Sequence, residues 1–198
     1  MMLVELTTVQ SAALPVAEFK DHLRLGTGFS DEGAQDTLLE TFLRAAVAAV
    51  ETWTGQALFE RDFGWSVTHW RGADMQALPV APVSAVVRIV SVDVEGAETV
   101  ADMDRYRLIP DKHRPLIAGR AAGLPCVPTD GAVRIEFLGG FGPDWSDIPA
   151  TLAQAVLMLA AYYYEYRHEM QSSGATMPFG VAALLGPWRD VRVGGAVR

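Results

Sequence analysis

The sequence predicts an α+β fold: an antiparallel core of three to four helices, a β-rich lobe inserted between the second and third helices, and an extended C-terminal tail. Three observations predict it. Apolar residues recur at helical spacing on both sides of the chain's middle. The middle, about 57–141, switches to short alternating or β-branched segments punctuated by Gly, Pro and Asp. The flanking helical parts are too few to build separate large cores and are expected to pack together. The expected boundaries are 1–56, 57–146, 147–186 and, for the tail, 187–198.

In order along the chain, Pro15 opens a short helix whose Val16, Phe19 and Leu23 share a face, and Gly26 and Gly28 end it. A longer helix starts near Ser30 or Asp31, either of which can cap free amides, and runs to about Thr54. Leu38, Phe42, Ala45, Ala49 and Trp53 supply its apolar face, and Gly55 its C-terminal cap. The small run AAVAAV at 45–50 allows a neighbouring helix to approach closely. Strands are expected at 64–70, 85–94, 106–109 and 132–138, with Glu95-Gly96 as a hairpin turn and 116–128 as loop. A third helix begins at Pro149, follows Asp147 as cap and reaches about Glu169. A short apolar helix at 179–185 stops at Gly186-Pro187.

A chain of 198 residues suits one sizeable domain, or a small core with an inserted lobe. The formal charge of -8 argues against a protein whose main task is gripping nucleic acid phosphates, which needs surplus Lys and Arg. The single cysteine, Cys126, can make no internal disulfide and points to a reducing compartment. The first residues lack a secretory pattern, and the longest apolar segment, 152–166, falls short of the roughly 20 residues that cross a bilayer. A soluble, intracellularly made protein is expected.

Sites for chemistry are sparse. His22, His69, His113 and His168 lie in four separate segments without metal-ligand spacing. The stretches Asp102-Met-Asp104 and Asp111-Lys-His113 lack the ligand order of a calcium loop. The string LGGFGP at 138–143 lacks the Lys-Ser/Thr of a phosphate loop, and Pro143 removes a backbone donor, so it reads as a tight strand-to-helix turn. No metal or cofactor is expected.

Four of the five tyrosines fall within 162–166. On a helical wheel Gln154 and Glu165 define one narrow wettable stripe, with Met158 and Ala161 beside it. Tyr163 points opposite, Tyr162 and Tyr166 to one flank and Tyr164 to the other, so Tyr163 is expected deepest. A helix apolar nearly all round must be covered on several sides. Either the chain's own elements cover it, or another subunit does; tyrosine, enriched at interfaces, suits the second. The tail WRDVRVGGAVR holds three arginines against one aspartate, and Val191-Arg192-Val193 alternates like a strand able to join another protein's sheet. A frayed terminus is the alternative.

Four segments occur in a telling order: LPVAEFKDHLRL at 14–25, AAVETWTGQAL at 48–58, IPATLAQAVLMLAAYYYEYR at 148–167 and PFGVAALLGPWR at 178–189. Together they resemble the head–tail connector (adaptor) family of long-tailed bacteriophages and of alphaproteobacterial gene transfer agents. The resemblance spans almost the whole chain; in the β lobe it is one of layout. It implies a non-enzymatic virion component forming a ring, commonly of twelve, between the portal and a tail-side connector or stopper protein. DNA would pass through the ring's channel without sequence-specific binding, and no membrane is involved. The implied subunit interface is Tyr162, Tyr163, Tyr164, Tyr166 and Leu157. Phe179, Leu184 and Leu185 fall in the family's C-terminal motif with Trp188 and Arg189; Trp188, Arg189, Val191, Arg192 and Val193 are the implied portal contacts. The rival expectations are a small enzyme or ligand-binding protein whose β-lobe pocket uses His69, His113 or Asp111, and a monomeric chaperone or packaging factor.

Overall fold

The computed structural model describes residues 2–25, 32–120, 123–167 and 177–189. The chain divides into two units, one of Met1–Val9 with Phe59–Pro143 and one of Gln10–Leu58 with Asp144–Arg198. The first is a β unit and the second helical, so an α+β architecture is observed.

In the β unit, β1 (Met2–Glu5), β2 (Arg61–Val67), β4 (Val83–Val92), β5 (Glu98–Val100) and β8 (Ala132–Gly139) form one antiparallel sheet in the order β1-β2-β8-β4-β5. A second sheet orders β3 (Met75–Ala77), β7 (Leu116–Gly119) and β6 (Tyr106–Ile109) as β3-β7-β6. The central strand β8 alternates strictly, with Val133, Ile135 and Phe137 buried. One pleated face therefore meets the core while Arg134 and Glu136 take the other. Phe137 stands opposite Phe63 on β2, their rings stacked at 5.5 Å. On the polar face the Arg88 guanidinium grips Glu136 with two bonds, Nε to Oε2 at 3.1 Å and Nη2 to Oε1 at 2.7 Å. These bonds hold the Glu136 carboxyl below its ordinary range, assisted by Arg134. The glycines of LGGFGP serve close backbone approach: Gly140, at φ +132, would set a Cβ 2.3 Å from the Phe59 carbonyl oxygen.

The helical unit holds α1 (Val16–His22), α2 (Glu32–Thr54), α3 (Ala150–Glu165) and α4 (Phe179–Leu185). Gly55, at φ +71, ends α2 in the left-handed conformation expected of a C-terminal cap. The core between α2 and α3 is built from Leu39, Leu43, Ala46, Val47 and Val50 against Leu152, Ala155, Val156, Leu159 and Ala160, all buried.

Several expectations need correction. Residues 2–5, assigned by sequence to the helical part, are an edge strand of the β unit. Residues 116–119, expected as loop, pair between two strands, because Leu116-Ile117-Ala118 offers a buried partner to Leu108 and Gln76. Asp147 does not cap α3; its carboxylate accepts from Asp144 N–H at 3.0 Å in the one-turn 3-10 helix before it. The helix α3 ends at Glu165, short of Glu169. Trp188 lies in a 3-10 turn (Gly186–Trp188) rather than in an extended tail. The rest of the tail, with Val191, Arg192 and Val193, lies outside the described residues, as do His168 and the helix start at Ser30 or Asp31.

Two outcomes test this account. Phe137→Ala removes a fully buried ring beside Phe63 and is expected to cost about 3–5 kcal/mol in denaturant unfolding followed by circular dichroism. Glu136 has a depressed folded-state pKa, so its contribution is present above the unfolded carboxylate pKa of about 4.3 and is lost as pH falls through the folded value. Glu136→Gln should therefore lower stability at neutral pH and shrink the difference in unfolding free energy between neutral pH and about pH 3.

Candidate assembly surface

The 16 residues of α3 contain almost no charge, and their exposure follows the wheel. Thr151, Gln154 and Glu165 are exposed, whereas Leu152, Ala155, Val156, Leu159 and Ala160 are buried. Tyr163 continues the buried line but is only half-buried; burial pushes its phenol pKa up, with a smaller contribution from Tyr162. Tyr162 and Tyr166 lie against each other at 4.8 Å on one flank. On the other flank Tyr164 meets Phe42 of α2 edge-on at 5.8 Å and 86°, and Arg167 covers the Tyr164 ring at 4.8 Å. Leu157, half-buried, shares the Tyr164 side of the helix. None of the four tyrosines is fully buried, and Tyr166 is 43% exposed.

The larger surprise is on α2. The stripe Leu38, Phe42, Ala45, Ala49 and Trp53, read as the helix's apolar face, is not its buried one: Leu38 is 45% and Trp53 39% exposed, while Phe42 and Ala49 are half-buried. The buried stripe is displaced by one residue, to Leu39, Leu43, Ala46, Val47 and Val50. One residue is 100° on a helix, so α2 carries two apolar faces: one is buried in the core, and the other packs only in part, through Phe42 on Tyr164. The second face opens a groove of about 530 Å³ between α2 and α3, where Ala48, Ala49, Thr52 and Trp53 oppose Leu159 and Tyr163. Met177 and Arg189 complete it. Alanines make the floor because they remove side-chain volume while keeping helix propensity. Sequence reasoning marked Ala48 only as part of the small run at 45–50 and missed Thr52 and Met177, for which neither apolar stripe gives a signal.

Trp188 and Arg189 are tied back onto the helical unit. The Trp188 indole N–H donates to Thr151 Oγ1 at 3.0 Å, and the Arg189 guanidinium sits 5.0 Å from the Trp53 ring centroid. The structure thus brings one residue expected to contact a neighbouring subunit, Tyr163, and one expected to contact the portal, Arg189, to the same groove.

The rival pocket does not assemble. His69 is exposed just after β2, whereas Asp111 and His113 lie in the β6–β7 turn. The Asp111 carboxylate is occupied with that turn, accepting from His113 N–H at 2.8 Å and Arg114 N–H at 2.7 Å. Those backbone bonds lower its pKa. A 180 Å³ cavity in the β unit is lined by Val86, Met103, Tyr106, Arg107, Leu108 and Ile117, without any of the three. Among the described residues no cluster of His, Cys, Asp or Glu could hold a metal, and no helix is long and apolar enough to cross a membrane.

The exposed Trp53 and the groove beside it are features of a protein–protein assembly module. Neither the family models nor the curated proteins contain a match. Solved structures do. The chain is similar over 99% of both lengths to a chain in the neck of an empty gene transfer agent (GTA) particle computed with C6 symmetry, at 54% identity and TM-score 0.90. Equal coverage relates it to chains in the virion of a native GTA particle, at 54% and 0.87, and in a native GTA neck computed with C12 symmetry, at 49% and 0.85. The chain belongs to the head–tail connector family of gene transfer agent particles.

Among the five tyrosines, Tyr106 and Tyr163 are the two whose hydroxyls burial raises. In an alkaline titration followed by phenolate absorbance, Tyr163→Phe should remove one late-titrating group. Loss of an early-titrating tyrosine instead would contradict the placement.

Proposed function

We propose that this chain is a structural head–tail adaptor of a gene transfer agent particle. Copies close into a ring, of twelve subunits, that joins the portal to a tail-side connector or stopper protein and surrounds the DNA channel. The role is geometric and non-enzymatic. The observation that supports it best is the second apolar face of α2, with Trp53 39% exposed above the alanine-floored groove. Such a face calls for a partner outside the helical unit's own core. In this reading Tyr163, which lines the groove, and Tyr162, Tyr164, Tyr166 and Leu157 on the two flanks of α3 form the subunit interface. The tyrosines supply contact area at low entropic cost, and their hydroxyls reach the rim. The net charge of -8 suits a channel that must release DNA rather than hold it.

The C-terminal segment is the portal contact in this reading. Trp188 and Arg189 anchor its root on Thr151 and Trp53, and Val191, Arg192 and Val193 form its reaching part. Truncation after Arg189 preserves both anchors, so the shortened protein should keep its circular dichroism spectrum and lose co-sedimentation with portal. If it still co-sediments, portal binding lies elsewhere. The adaptor reading itself is tested by electron microscopy of particles from cells lacking the chain: necks should be missing and should return when the chain is supplied.

A further inference from the structure

A ring with cyclic symmetry joins each copy to the next through two different surfaces. The groove offers one. Its complement must be apolar, narrow enough to enter between α2 and α3, and compatible with Arg189. Among the described residues, Arg189 stacks on Trp53 and pairs with no carboxylate.

The β4–β5 hairpin meets these requirements. At its tip Val94 is 73% exposed, more than any other valine among the described residues, and acids flank it as Asp93 and Glu95. One exposed valine means little alone. This one, however, sits on a loop fixed by its own hydrogen bonds. Asp93 Oδ1 accepts from Glu95 N–H at 2.9 Å and from Ala97 N–H at 2.8 Å, and Gly96 N–H donates to the Asp93 carbonyl at 3.1 Å. Gly96, at φ +84, supplies the left-handed residue the turn needs. Asp93 is thus committed to holding the loop, and Glu95 is exposed beside the valine. A tip held rigid before contact forgoes most of the ordering cost of docking.

We infer that the Val94 tip of one copy seats in the Ala48/Ala49/Trp53 groove of the next, with Glu95 meeting Arg189. This rests on the ring reading above. The groove belongs to the helical unit and the tip to the β unit, so the two surfaces differ, as a cyclic contact requires. The pairing also answers a charge problem. Copies of a chain with net charge -8 repel one another, and a defined cation–carboxylate contact at the seam gives a local attraction that sets register.

The test is a charge exchange between copies. Arg189→Glu and Glu95→Arg are introduced singly, together in one chain, and as two single variants co-expressed in cells whose own copy is deleted. Neck occupancy of purified particles is counted by cryo-electron microscopy. Each single variant places like charges at every seam and should lower occupancy about tenfold or more, while circular dichroism stays unchanged. The double variant should recover. So should the co-expressed singles, because alternating copies in an even-numbered ring restore an opposite pair at every seam. A contact within one chain, or with a different neck protein, is not restored by co-expression, and that outcome overturns the proposal. Undiminished occupancy of the single variants overturns it too, while leaving the adaptor reading intact. Failure of the unaltered chain to restore necks removes both.

Discussion

The pairing of α2 with α3 is the constraint on which the helical unit depends. These helices are brought together across an intervening stretch that folds as a separate β unit, so no short loop holds them side by side. Closing so long a connection costs entropy, and side-chain packing has to offset it. It does so with a dense small-and-large alternation, Ala46 and Val47 against Leu152, Val156, Leu159 and Ala160, all nearly or fully buried. Alanines bring the backbones close, and leucines fill what remains. The same economy of volume on the next face of α2, at Ala48 and Ala49, leaves the groove. Floor and core are consequences of one run of small residues.

A helix with two apolar faces is unstable in solitude in a particular sense. The part of a face left in water contributes no burial to the fold, yet tends to associate wherever a complementary surface is present. An exposed Trp53 stacked under Arg189 moderates this, since the guanidinium covers the ring without withdrawing its own charge from water. The tyrosines act similarly on α3, where Tyr162 shields Tyr166 and Arg167 shields Tyr164. The surface is thereby compatible with a free subunit and still apolar enough to bury on assembly. A catalytic site shows the opposite economy, polar groups drawn together at a desolvation cost; here the candidate polar groups are spread over separate turns and used for local hydrogen bonds.

How much of this was legible in the sequence follows from which forces are local. Strands β4, β6 and β8, the limits of α4 and the Gly55 cap were readable because alternation, turn glycines and capping act within a few residues. Strands β1 and β7 were not, since three or four apolar residues become a strand only when a distant partner supplies the hydrogen bonds. On α2 the helix itself was legible but its orientation was not. Two apolar stripes one residue apart give nearly equal periodicity, and only the position of α3 decides which is covered. The tyrosine wheel fared better because Gln154 and Glu165 mark a single wet stripe and leave one choice for the opposite side. Trp188 was misread as tail because its anchor, Thr151, lies in another helix altogether.

Salt and charge bear on why the seam is mainly apolar. With each copy at -8, repulsion between neighbours acts at all times, but exposed charges interact only weakly beyond a Debye length of about 8 Å at physiological ionic strength. Apolar contact is insensitive to that screening and strengthens with the area covered, so it can supply affinity where net charge cannot. A few fixed charges then suffice for register, because a like-charge mismatch is penalised more than a surface pair is rewarded. The division of labour matches what the helical unit displays: a broad apolar seam along α2 and α3, and one arginine at its mouth.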